Sequence, residues 1–284
     1  MDLNKIAKEI KEIISDYQSK NELSFIEDTH TYFIKNEKGD IVNSYPSVST
    51  VLKSFYKPFD AESTKSFQNC GGDEEKEKSL LKEWSDSGTY ASYMGSRVHF
   101  ILEEYLVSLY GSYKEVRRPI FECDEEQIKT GDNMVTAGKE FIELMHKRGA
   151  VLLDTEMVLG SAELGYTGQP DKVWLMLNEK NDIGIVVTDW KSNKPKNFEV
   201  QFYTKKMLDP FEKYHDTSLG HYYVQLPLYA KLLLKMLEGT KFENISFFGA
   251  VVVLLKKEGK FKEYKVPGEV VKKVIDMNIK DYLK

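Results

Sequence analysis

Residues 185–190, Ile-Val-Val-Thr-Asp-Trp, are a short, continuous, β-branched run. That is the pattern of a buried strand, and a buried strand obliges the chain to build a sheet inside a core. Side chains alternate along a strand, so Asp189 and Lys191 share one face while Trp190 points away. Upstream, Gly165-Tyr-Thr-Gly-Gln-Pro-Asp171 is a Gly-rich turn that ends one strand and starts the next. An Asp-x-Lys pair alone is a common strand-end ion pair, and Pro-Asp alone is ordinary turn chemistry. Together and in this order they bring two carboxylates and an ammonium to strand ends. Such a group can hold a hard divalent cation and stabilise developing negative charge.

A chain of 284 residues can bury a large core, as one domain or one domain with an added lobe. Hydrophobic residues make up 41% and charged residues 30%, ordinary for a soluble globular protein. The start, Met-Asp-Leu-Asn-Lys-Ile, lacks the basic and apolar regions of a secretory signal, and no apolar run is long enough to cross a bilayer. The 2 cysteines, Cys70 and Cys123, make no ligand spacing and no disulfide framework. A reducing, cytoplasmic location without membrane contact is expected.

The net charge of −5 does not advertise a nucleic-acid binder, but its distribution matters more. Residues 191–206 hold Lys191, Lys194, Lys196, Lys205 and Lys206 against Glu199, interleaved with Phe198, Phe202 and Tyr203. Such a stretch can follow a phosphate backbone and stack bases. Read alone, it is equally a solvated loop.

Helical spacing of Leu3, Ile6, Ile10, Ile13, Ile14 and Tyr17 predicts an amphipathic helix over 3–17. Residues 25–34 and 40–45 read as a hairpin around Asn36-Glu-Lys-Gly39, and Ser47 or Ser49 as the cap of a helix. The stretch 60–95 is polar and broken by Gly71-Gly72 and Gly88, and its charged run Asp73 to Lys78 reads as an exposed helix start or a mobile loop. A helix is expected over 95–110, and a second, opened by a capping box of Asp124 with Gln127, to Gly149. Strands at 151–159, 171–177 and 184–190, a helix at 219–238, strands at 245–255 and 260–266 and a helix after Pro267-Gly268 complete the reading. Pro227 fits its helix only near the first turn or at a kink. This order gives a mixed α/β fold with peripheral helices.

Two helices carry supporting residues. His99 and Glu103 share a helical face, so a neutral imidazole can ligate the same cation while Glu103 orients it. The bland alternative is a partly exposed pair on an amphipathic helix. Gly95 lets that helix approach the site closely. Gln225 and Tyr229 present an amide and a phenol on one face, suited to a phosphate, a base edge or the lysine. Tyr229 alone would read as core. Glu156, midway along the strand before the Pro-Asp turn, is a further acid that can face the cation or Lys191.

The ordered set His99, Glu156, Asp171, Asp189-x-Lys191 and Gln225-x-x-x-Tyr229 resembles the PD-(D/E)XK nuclease superfamily in its RecB-type branch. Trp84, Ala91, Gly95-x-Arg-Val-His99 and Tyr45-Pro-Ser-Val-Ser-Thr-Val-Leu52 resemble its phage and mitochondrial members. The resemblance covers roughly residues 25–265. It implies a restriction-endonuclease-like core over 95–284, with 1–94 as helix, hairpin and helical additions packed on it as one unit. It implies that His99, Asp171, Asp189 and the Trp190 backbone carbonyl hold Mg²⁺ or Mn²⁺. Lys191 then positions or activates water and stabilises the phosphorus centre, while Gln225 and Tyr229 bind nucleic acid or support the lysine. Glu156 keeps a less fixed catalytic place, and Lys194, Lys196 and Tyr203 fall on the nucleic-acid path. The second acid is Asp rather than the commoner Glu, and the cysteines of an iron–sulfur cluster are absent, so no cluster is expected.

The implied activity is metal-dependent hydrolysis of DNA, as an exonuclease on single-stranded ends in recombination, repair or replication, in company with the proteins of those processes. A structure-selective or flap endonuclease using the same site, and a catalytically silent DNA-end-binding module, are the rival readings.

Overall fold

The apolar continuity of 185–190 follows from what covers it. The computed structural model describes residues 2–111, 123–192, 198–199 and 205–283. In chain order its main elements are α1 (Leu3–Lys20), β1 (Ser24–Ile26), β2 (Thr31–Lys35), β3 (Ile41–Val42), α2 (Val48–Leu52), α3 (Lys65–Gln68), α4 (Glu74–Tyr110) and α5 (Glu125–Lys147). Then come β4 (Val151–Thr155), β5 (Leu159–Ser161), β6 (Tyr166–Gly168), β7 (Lys172–Leu177), β8 (Ile183–Lys191), α6 (Ser218–Met236), β9 (Ser246–Leu255), β10 (Phe261–Lys265) and α7 (Gly268–Asp276).

Five strands form a mixed sheet in the order β10-β9-β8-β7-β4. Strands β8 and β9 run parallel, joined across α6, and the other neighbours are antiparallel. On one face Ile185, Val187, Val173 and Leu175 pack with Leu3, Ile10 and Ile14 of α1 and Leu226 and Leu233 of α6. On the other, Val186, Trp190 and Trp174 pack with Val98 and Leu102 of α4 and Phe141 and Met145 of α5. A strand covered on both sides has no reason to alternate apolar with polar. Each such side chain contributes about 1.5–3 kcal/mol when buried, which lets β8 carry Thr188 and Asp189 at almost no exposure.

Several expectations are met. The capping box of α5 forms, with Gln127 N donating to Asp124 Oδ1 at 2.8 Å and Asp124 N to Gln127 Oε1 at 3.1 Å. Ser47 caps α2 by accepting from Thr50 N. The β2–β3 hairpin turns at Asn36–Gly39, where Gly39 takes φ 91°, a conformation that suits glycine.

Others are corrected. The arm expected over 25–34 is broken at His30, whose φ is 50°, and makes two strands of a three-stranded sheet, β1-β2-β3. The helix expected from 95 begins at Glu74. Its cap is Asp73, which accepts from Glu75 N and Lys76 N, and Glu74, Glu75 and Glu77 complement the helix dipole. No residue of α4 before Met94 is buried, so no apolar stripe marked this half as helix. The strand expected over 151–159 stops at Thr155, because Glu156 adopts φ 47°. The chain then makes a separate β5–β6 hairpin. Pro227 lies well inside α6, past its first turn. The helix is buried along most of its length, and tertiary packing outweighs the lost backbone bond there. No described helix is long and apolar enough to cross a membrane.

Candidate metal centre

The site forms where β7 begins, β8 ends and α4 crosses them. Asp171 follows the turn Gly168-Gln169-Pro170, and its carbonyl accepts from Glu156 N at 3.1 Å. Gln169 Nε2 donates to the Glu156 carbonyl at 2.8 Å. The strained backbone of Glu156 thus clamps the Pro-Asp turn onto the end of β4. Strand alternation puts Asp189 and Lys191 together as expected, with Lys191 Nζ 2.7 Å from Asp189 Oδ2.

His99 reaches this point from α4. Its Nε2 lies 2.8 Å from the Trp190 carbonyl, and its Nδ1 lies 3.2 Å from Asp171 Oδ2. A carbonyl only accepts, so Nε2 carries the hydrogen and Nδ1 turns a lone pair toward a carboxylate oxygen. Burial, chiefly, drives the imidazole down to about 4, with Asp171 opposing and Lys172 and Lys191 adding to the fall. The ring is therefore neutral at pH 7, the form that ligates metals. Gly95, one turn earlier, sits where a Cβ would be 3.3 Å from Ser192 Oγ, so the helix approaches as closely as expected.

His99, Asp171 and Asp189 offer ligand atoms that all lie within 4.8 Å of one another. Asp171 Oδ2 and Asp189 Oδ1 are buried and have no hydrogen-bond partner among the described residues. Orphaned buried oxygens are costly, and a cation would satisfy both. Two ligands at about 2.1 Å from one ion and at right angles lie about 3 Å apart, close to the separation of His99 Nδ1 and Asp171 Oδ2. The residues fit a divalent cation.

The electrostatics agree with that fit. Burial, then the charge of Asp171, pushes the Asp189 carboxyl well above the usual range. Burial also works to raise Asp171, but Lys172 and His99 outweigh it and hold its carboxyl below the usual range. The two acids resist joint ionisation until further positive charge arrives. Burial opposes the charge of Lys191, yet Asp189 and Asp171 outweigh it, so this amine is an ammonium at neutral pH.

The remaining expected residues divide. Gln225 Nε2 donates to Tyr229 Oη at 2.9 Å, so the amide and phenol do share a face. Tyr229 is buried, and its phenol is pushed up by burial and by the charges of Asp189 and Asp171. Glu103 does not orient His99. Nε2 is taken by the Trp190 carbonyl, Nδ1 faces Asp171 Oδ2, and Glu103 Oε1 accepts from Thr155 Oγ1 at 3.1 Å. Glu156 lies past the end of β4 rather than midway along it, and it is outside the His99–Asp171–Asp189 group. The Trp190 carbonyl, expected as a further cation ligand, instead accepts from His99 Nε2–H, on the opposite side of the ring from Nδ1, and so does not face the ion that Nδ1 would hold. Lys194, Lys196 and Tyr203, with Phe202, lie outside the described residues. Phe198 belongs to the core, fully buried against Tyr222 and Tyr264, so it cannot stack on a base.

Two residues at the site escaped the sequence reading. Tyr222 lies three residues before Gln225, and its ring centroid is 4.5 Å from Lys191 Nζ. Lys172 follows Asp171 directly and is 2% exposed, with Nζ 3.6 Å from Asp171 Oδ2. Its signal was available: Lys172 pairs with Thr188, so alternation places it on the face of Trp190.

Gly168 allows the turn and α6 to meet. A Cβ there would lie 2.7 Å from both the Tyr229 ring and Val48 Cγ2. Gly168→Ala is expected to destabilise the protein by about 1–3 kcal/mol, read as a lowered melting temperature. An unchanged melt would show that the ring and Val48 give way freely.

No known family model matches this sequence, and no curated protein matches it.

Proposed function

We propose that this chain is a divalent-cation-dependent nuclease with a restriction-endonuclease-like core, of the RecB-type branch of the PD-(D/E)XK superfamily. It acts on DNA, as an exonuclease at single-stranded ends. The observation that carries this reading is the convergence of His99, Asp171 and Asp189 on one point with Lys191 beside them. Its four groups come from a helix, the turn into β7 and the end of β8, and ion pairs made only for stability need no neutral imidazole aimed at a carboxylate.

His99 through Nδ1, Asp171 and Asp189 would hold Mg²⁺ or Mn²⁺, which when bound polarises a phosphate oxygen and lowers the pKa of water. The ammonium of Lys191 offsets the negative charge that builds on the phosphorus oxygens. Because it stays protonated, Lys191 positions water by donating to it and does not accept its proton. Tyr222 holds the ammonium by a cation–π contact. Gln225 and Tyr229, hydrogen-bonded to each other, present donors and acceptors for a substrate phosphate or base edge. Recombination, repair or replication of DNA is the setting in which such an activity would serve.

The test is release of nucleotides from end-labelled single-stranded DNA with Mg²⁺, with and without chelator, beside a closed single-stranded circle. Metal-dependent mononucleotide release from linear DNA, none from the circle, is expected. Cutting of the circle would make the enzyme an endonuclease. Tight binding of linear DNA without turnover would reduce the chain to an end-binding module and reject hydrolysis.

A further inference from the structure

The hydrolytic reading gives Lys191 work and leaves Lys172 idle. A lysine only 2% exposed requires an explanation, since charged groups are seldom fully buried unless paired. Its Nζ lies 3.6 Å from Asp171 Oδ2 and 3.6 Å from the centroid of the Trp190 ring. Lys172 cannot swing away. Its backbone is locked between Thr155 of β4 and Thr188 of β8, and the indole beside it is fully buried. The ammonium is therefore a fixed charge under the site rather than a mobile one.

Asp171 and Asp189 bring at most two negative charges to the centre, and Lys172 and Lys191 each pair with one of them. Without a cation the two lysines already match or exceed the charge of the acids. The oxygen that Lys172 faces, Asp171 Oδ2, is also the one that His99 Nδ1 faces. Lys172 and a divalent cation therefore compete for one carboxylate. Residues that merely attract metal would leave their acids uncompensated.

We infer that Lys172 is a positioning residue that holds Asp171 in place and keeps the centre's affinity for a divalent cation low until a phosphodiester supplies negative charge. This rests on the reading of His99, Asp171 and Asp189 as a cation site. The centre then fills together with its substrate, and free metal alone loads it poorly. Trp190 couples the parts, because its ring carries Lys172 while its carbonyl holds His99.

The experiment titrates Mn²⁺ by electron paramagnetic resonance into wild type, Lys172→Met and Asp189→Asn. Each is measured alone and with a single-stranded phosphorothioate oligonucleotide. Methionine keeps the length and apolar stem of Lys172. Wild type should bind Mn²⁺ at least about tenfold more tightly with the oligonucleotide, and Lys172→Met should bind it at least about tenfold more tightly than wild type without one. A lysine that only fills space would change the melting temperature and not the affinity. Unaltered or weaker Mn²⁺ binding by folded Lys172→Met overturns the inference. If that variant does not fold, equal wild-type affinity with and without the oligonucleotide overturns it. Wild-type binding by Asp189→Asn would instead reject the cation site itself, which separates the two failures.

Discussion

Lys191→Met is expected to slow metal-dependent DNA hydrolysis by about 10²–10³-fold, the loss typical of removing one preorganised group that meets developing charge. Asp189→Asn should do at least as much damage, because it removes a cation ligand as well as the partner of Lys191. Methionine preserves the buried stem and its packing on Tyr222, so the protein should still fold. Lost transition-state stabilisation lowers kcat and kcat/KM together, whereas a lysine that only binds substrate would raise KM alone. Steady-state rates on end-labelled DNA separate the two, with circular dichroism as the check on folding. Wild-type rates for both variants would remove the chemical basis of the assignment.

Trp174→Ala is expected to cost about 3–5 kcal/mol, a large part of the total stability of about 5–15 kcal/mol that domains possess. Trp174 is completely buried on β7, among residues of α4, α5 and β8. Its Nε1–H donates to Thr188 Oγ1 at 2.9 Å across the strand pair that carries Asp171 and Asp189. The alanine leaves a void in the layer between His99's helix and the sheet. Thr188→Val removes only the acceptor and strands a buried N–H, for about 1–3 kcal/mol. Chemical denaturation of both variants should reproduce that ranking. A loss below 1 kcal/mol for Trp174→Ala would mean that the two-sided packing contributes less than its burial implies.

The sequence carried the site's chemistry better than its surroundings. Strand parity alone paired Asp189 with Lys191, and i,i+4 spacing alone paired Gln225 with Tyr229. Both follow from local periodicity. The charged run Asp73 to Lys78 marked an exposed helix start, but its continuation to Met94 was illegible because an exposed helix owes the core no apolar stripe. The break at Glu156 was illegible because nothing local marks a glutamate for positive φ. It is held there by bonds to Asp171 and Gln169, which only the fold brings near. Phe198 looked like a stacking residue since a basic neighbourhood suggested solvent, while its ring meets two tyrosines from distant elements. Lys172 was overlooked for a similar reason, as lysine is the residue least expected to be hidden.

All four groups that converge lie between residues 99 and 191, which tempts one to express a shortened fragment. The structure argues against trimming. Pro46 O receives Thr167 N at 3.0 Å, Ser47 bridges Thr167, and Val48 backs Gly168 beside Tyr229. Leu3, Ile10 and Ile14 cover Val173 and Leu175 from behind. A fragment starting at 95 would bare the faces of β4 and β7 that α1 covers and unseat the turn that delivers Asp171.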